Sequence, residues 1–259
     1  MIESKGFLVA PHVMVYANNW KKDKKQIIKQ VEKIGYPLIA KPADDGCSSA
    51  VKKIKTREDF ISYAEGVFRN SEALTPAWIK RLGLKPKEEF PKKNYFLVER
   101  FVDKSDAVHF LEITGGMITR YNDQNKLLYE SFEPSEALAE GEILSLEEKF
   151  LAGQGQNITP ARYHKDPKHS AAISKKVQKV LVEGAKVLNV QGYCRIDAFV
   201  SIMANNEPKV TFIEVNSLPG MTPATAIFHQ CALNGYKPYE FIDAILEFGT
   251  ARTEKGLVS

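Results

Sequence analysis

Apolar residues recur along this chain at two spacings, one near 3.6 residues and one of two, and the changes between them mark its elements. Over residues 21–34, Ile27, Ile28, Val31 and Ile34 stand at helical spacing with Lys and Gln between them, and Gly35 closes the helix as a left-handed cap. YPLIAKP (36–42) is a short apolar run ending in Lys-Pro. A residue before proline is driven toward extended geometry, so Lys41 is expected at the end of a strand. A small, polar loop, ADDGCSSA (43–50), leads into a strand at 51–55, and Thr56 with Asp59 forms a capping-box pattern that opens a helix to about Arg69. Residues 71–94 hold three prolines and no clear period, an excursion with one helical turn. The runs 95–102, 108–114 and 117–121, with Gly115-Gly116 as a turn, predict an antiparallel meander, followed by a strand near 126–132.

Residues 133–168 read as irregular, a length that in compact domains belongs to function or disorder. Ile173, Val177, Val180, Leu181, Gly184, Ala185 and Leu188 then form a narrow apolar stripe on a long helix. Two strands follow at 192–202 and 209–216, joined through Asn205-Asn206-Glu207-Pro208, and helices are expected at about 223–234 and 238–248. The sum is an α+β fold with mostly antiparallel sheet, lacking the regular β-α alternation of a doubly wound fold.

Composition narrows the function classes. With 44% hydrophobic and 26% charged residues in 259, the chain is ordinary globular material, long enough to bury a core without a disulfide or metal. No run approaches 18 apolar residues, which argues against a membrane span, and MIESKGFLVAPH has no signal-peptide pattern. Three cysteines, odd in number and far apart, form no disulfide framework, so a reducing cytoplasm is expected. A net charge of +4 is too mild for nucleic-acid binding and leaves a small anionic ligand open.

The chemistry concentrates on the two late strands. In GYCRIDAFV, Tyr193, Arg195, Asp197 and Phe199 alternate against Cys194, Ile196, Ala198 and Val200; in VTFIEVNS, Phe212, Glu214 and Asn216 alternate against Ile213 and Val215. Paired as a hairpin, these strands gather Arg195, Asp197, Glu214 and Asn216 on one face, with an apolar face behind. A wetted face with one salt bridge would look similar. However, Tyr193, Phe199 and Phe212 sit poorly in water, and the strand runs straight into the turn-rich SLPGMT. Two carboxylates and an amide oxygen are the hard ligands that Mg²⁺ takes together with phosphates.

GYCRIDAFV followed by FIEVNSLPGMTPAT resembles the C-terminal signature of the D-alanine–D-alanine ligases, members of the ATP-grasp superfamily. YPLIAKPADDGCSSAVKKI resembles that family's lysine strand and phosphate loop, LVERFVDKSD its adenine linker, and EEKFLAGQGQNITPARY the stretch with its second ATP lysine. The resemblance implies two α+β subdomains gripping ATP between them, placed here at 1–106 and 107–259. It implies that Lys41, Cys47, Ser48 and Lys149 lie at the ATP phosphates, that Glu99 and Val102 frame the adenine, and that Asp106 takes the ribose. Asp197, Glu214 and Asn216 would hold two Mg²⁺ (or Mn²⁺), Arg195 the transferred phosphate, Gly220 the oxyanion, and Thr225 and Phe150 the second substrate.

The implied activity is ligation of two D-amino acids through an acyl phosphate for peptidoglycan precursors, with a homodimer formed by the longer protein. Cys47 stands where the family has serine, Phe150 where it has tyrosine, and Asp106 where it has a longer acid. The family's preceding α/β domain is read as absent. Another ATP-grasp peptide or depsipeptide ligase, and a nucleotide-binding module without catalysis, therefore stay beside the first reading.

Overall fold

The computed structural model describes residues 1–44, 50–84, 88–138, 157–222 and 225–254. The chain divides into two compact units: residues 1–9 join the described residues from Asp103 onward, and Ala10–Val102 forms the other. The division expected at residue 106 thus differs at residues 103–106 and in the first nine residues, where β1 (Leu8–Val9) pairs parallel with the strand at Pro208–Asn216.

The smaller unit runs β2 (His12–Tyr16), α1 (Ala17–Lys22), α2 (Lys24–Glu32), β3 (Leu38–Lys41), β4 (Lys52–Ile54), α3 (Arg57–Val67), α4 (Pro76–Arg81) and β5 (Tyr95–Arg100). Its four strands pair antiparallel in the order β2-β5-β3-β4. The helix expected over 21–34 is cut at Asp23, whose non-helical backbone (φ −149°, ψ 74°) ends α1 and whose carboxylate accepts from Gln26 N at 2.9 Å to cap α2. Gly35, at φ +86°, makes the left-handed exit. At Thr56 both arms of the capping box are present: Asp59 N donates to Thr56 Oγ1 at 3.2 Å and Thr56 N to Asp59 Oδ2 at 3.0 Å. Phe60, Tyr63 and Phe96 form the buried aromatic centre, and the Tyr63 hydroxyl donates to Ala50 O at 2.9 Å.

In the larger unit the strand order is β1-β11-β10-β6-β8-β9, with β7 also on β6. Here β6 is His109–Tyr121, β7 Leu127–Ser131, β8 Ser135–Ala137, β9 Asn157–Ile158, β10 Tyr193–Ile202 and β11 Pro208–Asn216. Every pairing except β1 with β11 is antiparallel. Helices α5 (Pro167–Val187), α6 (Ala226–Leu233) and α7 (Pro238–Glu254) complete the unit.

Two expectations need correction. The meander does not exist: β5 belongs to the smaller unit, and β6 runs unbroken through Gly115-Gly116. Those glycines serve close approach, since a Cβ on Gly115 would lie 2.5 Å from Leu181 Cδ1 and one on Gly116 2.4 Å from Gln230 Oε1. Residues 133–168 are not irregular throughout, because β8 and β9 lie within them and pair with one another. Lys149, expected there at the ATP phosphates, lies outside the described residues.

Candidate metal and nucleotide site

The β10–β11 hairpin carries the centre of the site. Opposite residues are Arg195 with Asn216 and Asp197 with Glu214, so all four share one side of the sheet, as the alternation predicted. Immediately beyond, the register shifts: Ala198 faces Phe212 and Ile213 is the extra residue of a bulge. The shift carries Phe212 to the opposite side, correcting its expected place beside Glu214. It is buried, meets Phe7 edge-on at 5.6 Å, and fills the space that a Cβ on Gly184 of α5 would take, 2.5 Å away. Cys194, Ile196, Ala198 and Val200 are likewise fully buried on that side, and burial pushes the Cys194 thiol up to about 12.

The aromatic residues left on the polar side are covered by protein. Tyr193 meets Phe241 of α7 edge-on at 6.4 Å, and Phe199 stacks on Phe110 of β6 at 5.3 Å. Between these ends lies Asp197, 5% exposed. Its Oδ1 accepts from Arg195 Nε at 3.1 Å and from the Thr114 hydroxyl at 2.6 Å; its Oδ2 accepts from Arg195 Nη2 at 3.2 Å and Asn216 Nδ2 at 3.3 Å. Asn216 Nδ2 also reaches Glu214 Oε1 at 3.3 Å. One amide therefore bridges both carboxylates and gathers three oxygen-bearing side chains on one side of the hairpin.

Thr114 was missed in the sequence. It sits on β6 directly opposite Asp197, placed there by the β6–β10 register that runs through the mid-strand glycines. Gln230 was missed as well, since a glutamine on a predicted terminal helix carries no signal by itself.

Beyond the hairpin, Gly220 is exposed; among the described residues, a Cβ there would come near Thr225 Cγ2, at 3.8 Å. Thr225 caps the start of α6 by position, and its hydroxyl donates back to Thr222 O at 2.7 Å. Asp106 is exposed on the segment before β6. In the smaller unit, Lys41 ends β3 as expected, and its ammonium lies 2.7 Å from Glu99 Oε1 on β5, the two side chains only 13% and 17% exposed. Val102 follows β5, half-buried. Cys47, Ser48, Lys149 and Phe150 lie outside the described residues. Among the described residues no helix is long and apolar enough to cross a membrane.

The family model described as the D-ala D-ala ligase C-terminus matches residues 1–80 and 88–247. A D-alanine–D-alanine ligase of Leptospira interrogans is 25% identical over 249 residues, covering 96% of this chain and 59% of that protein. One from Syntrophobacter fumaroxidans is 26% identical over 243 residues, covering 93% and 63%. The chain thus spans about three fifths of the length of these relatives. Among solved structures, the D-alanine–D-alanine ligase of Coxiella burnetii superposes with a TM-score of 0.63 at 15% identity, over 99% of this chain and 56% of that one. The Bacillus anthracis enzyme complexed with ATP gives 0.61 at 18% identity, over 98% and 63%. A biotin carboxylase domain from Hydrogenobacter thermophilus, in complex with MgADP, gives 0.55 at 12% identity, over 94% and 42%. The fold is that of the ATP-grasp proteins.

Proposed function

The chain belongs to the D-ala D-ala ligase C-terminus family, and from that premise we propose that it carries the ATP- and Mg²⁺-binding residues of a carboxylate–amine ligase of the D-alanine–D-alanine type. The observation that supports this most is the convergence of Asp197, Glu214, Asn216 and Arg195 around one buried carboxylate. The donor set fits a divalent hard cation: two carboxylates and one amide, which would turn its oxygen to the ion, leave room for phosphate oxygens and water. Bound Mg²⁺ would neutralise charge on those phosphate oxygens.

The residues' own roles follow from the difficulty of the reaction. A carboxylate resists an amine because oxide is a poor leaving group. In the proposed sequence, a substrate carboxylate oxygen attacks the γ-phosphorus of ATP and ADP leaves. The amine of a second substrate then attacks the acyl carbon, loses a proton, and expels phosphate. Such transfers need positioning and charge stabilisation more than covalent help from the protein. Arg195 would follow the phosphate from ATP to the acyl phosphate, exchanging its contacts with Asp197 for phosphate oxygens. The exposed amide of Gly220 would meet the oxyanion, a donor whose loss typically costs ~2.7–4 kcal/mol of barrier. Thr225, close by, would meet the carboxylate of the second substrate. Lys41 would contact phosphate, Glu99 and Val102 the adenine and Asp106 the ribose. Cys47, Ser48, Lys149 and Phe150 keep the roles that the resemblance gives them.

D-amino acids as the substrates, peptidoglycan precursor synthesis in the cytoplasm, and pairing with a second copy are supported by the family resemblance alone. The test is a melting measurement with Mg²⁺ and ATP. Saturation at 100 times Kd adds ~2.7 kcal/mol, a shift of several degrees for a domain of this size. No shift with either nucleotide or metal would remove the reading. A shift with D-alanine-dependent phosphate release supports the ligase, whereas a shift without turnover leaves a nucleotide-binding module.

A further inference from the structure

The sheet of the larger unit has a gap. Along β6, the edge opposite β10 pairs with β8 as far as Thr114 and with β7 from Met117 onward. In the step between them Gly116 O accepts from Phe132 N at 2.9 Å, but no strand residue among the described ones pairs with Gly115 or Gly116 on that edge. Gln230 from α6 fills part of it. Its side chain is fully buried; Oε1 accepts from Gly116 N at 2.8 Å, and Nε2 donates to Thr114 O at 2.7 Å and to Ser135 Oγ at 2.9 Å. A carboxamide has the same donor and acceptor as a peptide group, and here it completes the ladder as the absent strand residue would. Thr114 is thereby held through its backbone by Gln230 while its hydroxyl donates to Asp197 Oδ1 at 2.6 Å.

We propose that Thr114, fixed by Gln230, is a positioning residue that orients the Asp197 carboxylate for a divalent cation. The inference rests on the reading of Asp197 as a metal ligand. Of the donors on Asp197, Arg195 is itself a cation and Asn216 must turn its oxygen to the ion, so both contacts change when a metal arrives. The Thr114 hydroxyl is neutral, 8% exposed and anchored mid-strand. It can remain on Oδ1 throughout and leave the other lone pairs to the ion. Hydrogen bonds of this kind orient a ligating carboxylate, and their removal typically weakens metal binding 10- to 100-fold. Because Gln230 lies on the helix that begins beside Thr225, the same contact ties α6 to the metal-bearing strands.

The test uses Mn²⁺ as the probe, its binding read by electron paramagnetic resonance with a non-hydrolysable ATP analogue. Thr114→Val keeps the shape and removes the hydroxyl; Thr114→Ser restores it; Asp197→Asn removes a ligand. The expected result is a ~10- to 100-fold loss of Mn²⁺ affinity in Thr114→Val, near-complete recovery in Thr114→Ser, and an unchanged melting order between those two. Gln230→Met should also weaken Mn²⁺, with a lowered melting temperature. If Asp197→Asn abolishes Mn²⁺ binding while Thr114→Val binds as the wild type does, the positioning role is wrong and the metal site stands. If the wild type binds no Mn²⁺, the reading of the site and this inference fall together.

Discussion

Replacing Gly116 by alanine tests the most consequential departure from the sequence reading. The new Cβ would stand 2.4 Å from Gln230 Oε1 and 3.1 Å from both Ile227 Cγ1 and Phe132 Cδ2, inside the distance that carbon and oxygen tolerate. A flexible side chain could normally swing aside, but Gln230 is held by Gly116 N, Thr114 O and Ser135 Oγ. Swinging would strand the two buried backbone groups at ~1–3 kcal/mol each, and staying would overpack α6 by ~1–3 kcal/mol. The expected destabilisation is therefore about 3 kcal/mol. Gly115→Ala clashes with the tip of Leu181, a side chain that can change rotamer, and meets Ile196 O at an ordinary 3.7 Å, so it should cost about 1–2 kcal/mol. Urea unfolding of both variants, followed by far-UV circular dichroism, measures the difference. Fluorescence offers a control, since both tryptophans, Trp20 and Trp78, belong to the smaller unit and should report an unchanged transition there. A loss below ~0.5 kcal/mol for Gly116→Ala, the range of an uncrowded surface site, would refute the strand and return these glycines to a turn.

Glu214→Gln removes one charge without changing shape, so MgATP should no longer raise the melting temperature while stability without ligand stays within ~0.5 kcal/mol; a large loss without ligand would make Glu214 structural. Phe212→Ala should destabilise by ~3–5 kcal/mol in urea because Phe212 faces the core, whereas a side chain on the wet face would give under 1 kcal/mol. Cys194 and Cys231 should stay unlabelled by a thiol reagent at pH 8 until the protein unfolds, since burial raises both thiols, Cys194 to about 12; peptide mapping that finds either labelled in the native protein would contradict their burial.

Local signals carried well from sequence to structure. The capping box at Thr56, the left-handed exit at Gly35, the position of Lys41 and the pairing of Arg195, Asp197, Glu214 and Asn216 follow from rules that span a few residues. What failed depends on partners distant in sequence. Gly115-Gly116 looks like a turn until Leu181 and Gln230 arrive from helices far along the chain. Strict alternation placed Phe212 with Glu214, and one bulged residue, Ile213, reversed it, because burying a phenyl ring behind the sheet outweighs a regular ladder. Thr114 and Gln230 gain meaning only from the register that joins them to Asp197.

The pairing of β1 with β11 has a consequence for how the molecule is made. Leu8 and Val9 leave the ribosome well before their partners Thr211 and Phe212, with the described part of the smaller unit synthesised in between. The described part of the smaller unit, Ala10–Val102, is contiguous, and its two ends lie together, Arg100 N donating to Pro11 O at 2.9 Å, so it can fold during synthesis. The edge strand must wait, and such long-range closure is slow. In pulse-labelled refolding the Leu8–Val9 segment should gain protection after β2–β5; early protection would show that it finds another partner first.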